Sequence, residues 1–356
     1  MQESEAATSS NATSRKTAET AETAAFMEQV LKTRVYDLAL ETPLQEARTL
    51  SRELKNRILF KREDMQPIHS FKVRGACQKI STLSDAEKAR GIITVSAGNH
   101  AQGVAYTAHH LGLRAVVVMP EIAPQIKVQS VRDWGSEVIL YGQNVTEAEQ
   151  YARKLQQEQN LTFVHPYDDP LVIAGQATVG LELLRQAPAE PYTVFIPVGG
   201  GGLIAGIATV LKAIRPDIKV VGVEPENADA MIRSIQAGHQ VRLDHLDTFV
   251  DAVAVKQAGF HPFRLAQQHV DDWVTVSNHE VCLAIRDIYN NTRTFMEPGG
   301  ALGTAGLKKY VQEKGLTGQT LITITSGANA DFDRIREVAQ RLFDGQRPVG
   351  EKGVVL

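Results

Sequence analysis

Lys72 is the residue whose type and setting most invite chemistry in this 356-residue chain. It lies in His69-Ser70-Phe71-Lys72-Val73-Arg74-Gly75, between the strand-like run Arg57-Ile58-Leu59-Phe60 and a helix expected beyond Gly75. A lysine serves as nucleophile or base when burial or a neighbouring cation lowers its pKa. Phe71 and Val73 on either side, with Arg74 close by, offer both influences. A lone lysine is more often a solvated surface charge, so the reading depends on what else the chain carries.

Three turns follow short apolar strands further on. Pro197-Val198-Gly199-Gly200-Gly201-Gly202-Leu203 places four glycines before a helix. With no Cβ to block an anion, their N–H groups can converge on a phosphate at the positive end of that helix. The spacing is neither that of a Walker loop nor Gly-x-Gly-x-x-Gly. Ser96-Ala97-Gly98-Asn99-His100 offers backbone donors for a carboxylate and an amide for a ring oxygen. Taken alone, it is also an ordinary helix start. Thr325-Ser326-Gly327-Ala328-Asn329 brings a hydroxyl able to meet a heterocycle nitrogen, or simply a turn former. An amine, a phosphate cradle, a carboxylate loop and a neutral hydroxyl are the parts needed to hold pyridoxal phosphate and an amino acid.

The elements that must position these turns alternate. Strands are expected at 92–95, 115–119, 137–141, 162–164, 193–196, 219–223 and 321–325. Helices are expected at 49–55, 100–111, 127–134, 145–157 and 203–214, with Asn144 capping the fourth. Continuously apolar strands with helical crossovers predict an α/β fold of two open, twisted, mostly parallel sheets flanked by helices. Ligands of such sheets bind beyond the carboxyl ends of the strands, where these turns lie.

The composition narrows the class. An apolar fraction of 43% with 22% charged residues is that of a globular chain. A net charge of −3 leaves no basic footprint, so no nucleic-acid partner is expected. No apolar run approaches the roughly 20 residues of a membrane span. Cys77 and Cys282 have neither disulfide nor metal-site spacing and read as buried thiols of a reducing compartment. Residues 1–24, rich in Ser, Thr, Ala and Glu, are expected to be disordered. Their acidic residues argue against a transit peptide, which makes the cytoplasm the expected location.

Ser70-Phe71-Lys72-Val73-Arg74-Gly75, Ser96-Ala97-Gly98-Asn99-His100-Ala101-Gln102-Gly103 and the tetraglycine loop, in that order, resemble the fold-type II pyridoxal-phosphate enzymes. Within these they resemble the threonine dehydratases (threonine ammonia-lyases, or deaminases). Val172-Ile173-Ala174-Gly175-Gln176, Val253-Ala254-Val255-Lys256 and Glu297-Pro298-Gly299-Gly300-Ala301 agree, and the likeness runs from about Thr33 to about Arg336. The resemblance implies a tryptophan synthase β-like fold, with a large cofactor-binding domain from 25–82 and 168–356 and a small domain at 83–167. It implies that Lys72 carries pyridoxal 5'-phosphate covalently and later moves the substrate Cα proton. Phe71 would border the cofactor ring and Asn99 would bond its phenolic oxygen. The amides of Gly199, Gly200, Gly201, Gly202 and Leu203 would hold its phosphate, and Ser326 would contact its pyridine nitrogen. Ser96, Ala97, Gly98, Asn99 and His100 would take the substrate carboxylate.

The activity so implied is α,β-elimination of L-threonine to 2-oxobutanoate and ammonia, a first step towards isoleucine, with L-serine as a second substrate giving pyruvate. Serine racemases of this fold carry an acid-donating serine where this chain has Ala97, so dehydration with little racemisation is expected. Ala230 stands where those relatives place a metal-binding acid near the match to Glu224, so no metal is expected. The alternatives are an L-serine dehydratase or racemase of the same fold, and a non-catalytic amino-acid sensor. A homo-oligomer, dimer or tetramer, is expected. The chain ends about 30 residues past the Ser326 turn, too few for the isoleucine-binding domain of long members. Whether a natural short form or a truncated one, it is expected to be insensitive to isoleucine.

Overall fold

The computed structural model describes residues 21–344. Residues 1–20 of the expected disordered segment lie outside the described residues, whereas 21–24 already belong to a helix at 21–31. That helix is anchored in two ways. Val30 is buried with Ala174, Ala177 and Val210, and Glu22 pairs with Arg264 at 3.0 Å.

Among the described residues, ten strands divide into two sheets. They are β1 (Leu44–Glu46), β2 (Arg57–Lys61), β3 (Ile92–Val95), β4 (Ala115–Met119), β5 (Glu137–Leu140), β6 (Thr162–Phe163), β7 (Thr193–Pro197), β8 (Lys219–Pro225), β9 (Asp272–Val276) and β10 (Thr320–Ile324). One sheet has the order β1-β2-β10-β7-β8-β9 and the other β5-β4-β3-β6. Every pairing is parallel except that of β1 with β2. The fold is thus the α/β architecture of two mostly parallel sheets read from the sequence.

Burial explains which strands are central. All residues of β3 and β4 are buried, while the edge strand β5 is half exposed. In the larger sheet, alternate residues of each central strand enter opposite cores. Phe195, Val221, Val223 and Leu321 pack on one face. Val194, Ile196, Val220, Ile322 and Ile324 pack on the other. Helices therefore cover both sides, and each fully buried side chain of this size contributes roughly 1.5–3 kcal/mol.

The strand ends carry the important turns. Helices begin immediately after them at Lys72–Ser81, Asn99–Leu111 and Gly202–Ile214. Asn144 caps the helix Val145–Glu158 by accepting from the Glu147 N–H at 3.0 Å, as its position in the sequence predicts. Strands β1 and β9 are additions to the sequence reading. Among the described residues no helix is long and apolar enough to cross a membrane.

Candidate active site

Lys72 opens the helix Lys72–Ser81, one residue after the N-cap Phe71. The chain reaches it through His69, whose φ of 54° is left-handed. This uncommon conformation for a residue with a Cβ costs of order 1–3 kcal/mol and persists where the surroundings enforce it. Here they do. The His69 N–H donates to Gln66 O at 2.7 Å, and its carbonyl accepts from Ala328 N at 3.0 Å.

The Lys72 amine donates to the Pro166 carbonyl at 2.7 Å and lies 5.3 Å from the Phe71 ring centroid. Burial pushes its pKa down to about 8, against a smaller upward pull from Glu297. The neighbouring cation considered from the sequence is not a cause. Arg74 is fully buried and held by Glu63 at 2.7 Å and Glu182 at 2.5 Å, and Glu182 also binds Lys61 at 2.5 Å. With its charge matched by two carboxylates, Arg74 fixes the first turns of the helix and leaves the amine to burial.

The Ser326 turn lies against the Lys72 turn. Ser70 and Gly327 form an isolated bridge, and Phe71 N donates to Ser326 O at 3.3 Å. Ser326 is buried and its hydroxyl donates to Gly299 O at 3.1 Å. Asn329 then reaches the Ser96–His100 loop, its Nδ2 donating to Asn99 Oδ1 at 2.7 Å.

In that loop Gly98 is the N-cap of Asn99–Leu111, and no side chain caps the helix. Ser96 Oγ accepts the Gly98 N–H at 3.1 Å. His100 turns its Nε2 to Val164 O at 3.0 Å, and burial holds its pKa down at about 3. It is therefore neutral and brings no positive charge to the loop, which must rely on N–H donors. At Gly103, one turn on, a Cβ would lie 3.0 Å from the Lys72 carbonyl oxygen. Its absence brings this helix against the start of the lysine helix.

The tetraglycine loop joins β7 to Gly202–Ile214, whose first N–H groups also lack a side-chain cap. Gly201 has φ +92°. A Cβ on Gly199 would lie 2.6 Å from Val253 O, and one on Gly200 would collide with the Tyr167 ring. The loop needs glycine for its conformation as well as for space. Ala252 in turn packs under Gly299, whose carbonyl accepts from Ser326. All four turns singled out in the sequence are thus linked through packed or hydrogen-bonded neighbours.

Glu297 also belongs to this group of linked residues, although its position before Pro298 carries no local signal of a role. It is 5% exposed, and its Oε1 accepts from Asn99 Nδ2 at 2.5 Å. Burial, with Asp251 second, pushes its carboxyl up to about 7. Glu224 is fully buried, and both its oxygens are used by the helix Ala230–Ala237, accepting from Met231 N at 3.1 Å and Ile232 N at 2.8 Å.

The sequence profile of the family described as pyridoxal-phosphate dependent enzyme matches residues 35–327. The chain is 48% identical over 324 residues to L-threonine dehydratase biosynthetic IlvA of Burkholderia multivorans, covering 90% of this chain and 64% of that protein. It thus spans less than two thirds of that relative's length. The processed form of threonine deaminase isoform 2 from Solanum lycopersicum superposes with a TM-score of 0.88 at 43% identity, covering 90% of this chain and 93% of that one. Maize serine racemase gives a TM-score of 0.81 at 29% identity over 90% and 97% of the two chains.

The residues fit the family's cofactor. The uncapped glycine turn is a cradle that added Cβ atoms would fill, and a buried amine of lowered pKa stands in the same group of linked turns. The matched profile covers all four turns but the last two residues of the fourth, and the chain belongs to the pyridoxal-phosphate dependent enzymes.

Proposed function

We propose that this chain is an L-threonine dehydratase, releasing 2-oxobutanoate and ammonia from L-threonine and acting also on L-serine. The observation that carries the reading is Lys72, a buried amine with its pKa drawn down to about 8 and held by the Pro166 carbonyl at 2.7 Å. The similarity to threonine dehydratases and deaminases supports it.

When bound, pyridoxal phosphate supplies the electron sink for charge developing at the substrate Cα. Lys72 anchors it, and afterwards the Lys72 amine takes the Cα proton. A lysine lowered to about 8 keeps a usable fraction of free base near neutral pH. The N–H groups of Gly199, Gly200, Gly201, Gly202 and Leu203 hold the phosphate, helped by the helix N-terminus. Phe71 borders the ring and Asn99 donates to its phenolic oxygen. Ser326 would meet the ring nitrogen by turning its one hydroxyl hydrogen from Gly299 O to that nitrogen, and a neutral donor does not favour a protonated ring as a carboxylate would. Ser96, Ala97, Gly98, Asn99 and His100 receive the substrate carboxylate through N–H donors.

Loss of the β-hydroxyl leaves an enamine that tautomerises and hydrolyses to the oxo acid and ammonia. Ala97 carries no proton to deliver to the opposite face, so racemisation is not competitive. We read the two sheets as two domains, 25–82 with 168–356 (of which 345–356 lie outside the described residues) and 83–167, in a cytoplasmic homo-oligomer of two or four chains.

The experiment is product formation from L-threonine, L-serine and D-serine, in wild type and Lys72→Ala. Oxo acid from L-threonine, lost in the variant, is the expected outcome. Turnover of serine alone, or D-serine accumulating from L-serine, would replace this reading by a serine dehydratase or racemase.

A further inference from the structure

Glu297 occupies the N-cap position of the helix Pro298–Lys314, yet its side chain caps nothing there. Glutamate is not a preferred N-cap, where shorter oxygen-bearing side chains reach the helix N–H groups. It is instead directed away from its own helix, to Asn99 Nδ2 at 2.5 Å. Room for this contact is made at Gly327, where a Cβ would collide with Glu297 Oε1 and lie 3.2 Å from Asn99 Nδ2. A buried carboxyl with one amide as its side-chain partner is costly to maintain, so the arrangement calls for a purpose beyond packing.

The direction of the hydrogen bonds supplies one. The Ile68 carbonyl can only accept, and it takes an N–H of Asn329 Nδ2 at 2.8 Å. The second N–H of that amide goes to Asn99 Oδ1 at 2.7 Å. Asn99 therefore presents its oxygen to Asn329 and one N–H to Glu297. An amide nitrogen has two hydrogens, and one remains. Lys72, Lys127 and Asp251 are the charged groups that act on Glu297.

We propose that Glu297 is a positioning residue which, with Asn329, locks the Asn99 amide so that its remaining N–H is presented as a donor to the bound cofactor. The inference rests on the assignment of Asn99 to the cofactor's phenolic oxygen made above. Asn99 is then unable to turn its oxygen to the cofactor, and the ionised phenolic oxygen is the form it selects.

The test measures pyridoxal phosphate affinity by equilibrium dialysis, together with the position of the visible absorption band, in Asn99→Ala, Glu297→Ala, Glu297→Gln and the double alanine variant. Losing one charge-assisted hydrogen bond weakens binding about tenfold or more. The expected result is a comparable loss and the same band shift in both single alanine variants, with no further change in the double. Glu297→Gln retains an accepting oxygen and stays near wild type. If Asn99→Ala weakens binding but Glu297→Ala does not, or if the two losses multiply, the positioning role is overturned. If Asn99→Ala leaves affinity and band unchanged, the cofactor contact itself is wrong. Should Glu297→Ala not fold, Asn329→Ala releases the same amide from its other side. Its loss must likewise vanish in the Asn99→Ala background, and an independent loss would overturn the proposal.

Discussion

The amine of Lys72 lies 2.7 Å from the carbonyl oxygen of Pro166, a residue of the segment that leaves β6. A lysine that follows β2 of the larger sheet is thereby held by the chain of the smaller one. Burial is the main cause of its lowered pKa.

The first consequence is a pH profile. In cofactor-free protein Lys72 should react with an amine-directed reagent at a rate rising with pH and half-maximal near 8. The sign follows because only the neutral amine is nucleophilic, and lowering the pKa moves its appearance to lower pH. Peptide mapping of the labelled protein checks it. A midpoint above about 10, the value of an exposed lysine, would contradict the account.

The glycine cradle predicts a binding defect separable from the amine. Gly201→Ala forces a Cβ into a φ of +92° and against Met231. The backbone term alone costs about 1–2 kcal/mol. Pyridoxal phosphate affinity should fall about tenfold or more, since each 1.4 kcal/mol is tenfold. The Lys72 reactivity profile of the cofactor-free protein should stay as in wild type.

The buried charges around Arg74 predict an uneven response to truncation. Glu182→Ala leaves Lys61 and one side of Arg74 uncompensated in a fully buried setting. Such a loss costs about 3–5 kcal/mol. Glu41→Ala removes a partner of Arg185 from a half-exposed pair at 2.8 Å and costs less than about 1 kcal/mol. Denaturant unfolding of the two variants beside wild type makes the comparison.

Glu297 adds a pH-dependent term to stability. Its carboxyl is raised to about 7 in the folded chain by burial and Asp251, against about 4.3 unfolded. The folded state therefore holds the proton more tightly. The contribution is fully present below about 4.3 and is lost as pH rises through about 7. Glu297→Gln does not titrate, so cofactor-free wild type should lose stability relative to it between about pH 5 and pH 8, by up to about 3 kcal/mol. A pH-independent difference would remove the ionisation from the account.

The central strands were legible because β3, β4, β7, β8 and β10 are continuous apolar runs bounded by turn residues. β9 escaped because an edge strand with a half-exposed pattern, Asp272-Trp273-Val274-Thr275-Val276, has no such run. The start of the helix at 21–31 was hidden because the composition of its first residues matches the polar tail. Its order comes from distant partners, Ala174, Ala177 and Val210, among which Val30 is buried.

In the site, the glycine turns were legible because each directly follows a strand, and Lys72, which a short helical turn at Glu63–Met65 separates from β2, was legible from its apolar neighbours Phe71 and Val73. Two other features were not. Glu182 meets Lys61 across 121 positions of sequence, and no local pattern signals that Arg74 is already paired. Glu297 precedes Pro298 at a helix start, which reads as punctuation until its reach to Asn99, 198 positions away, is seen.

Covalent attachment of the cofactor to Lys72 can be read by borohydride reduction followed by peptide mass spectrometry. Reduction should bleach the visible absorption irreversibly and leave the phosphopyridoxyl mass on the peptide containing Lys72. The mass on a peptide with Lys61 or Lys127 instead, or an unmodified Lys72 peptide after bleaching, would contradict the account.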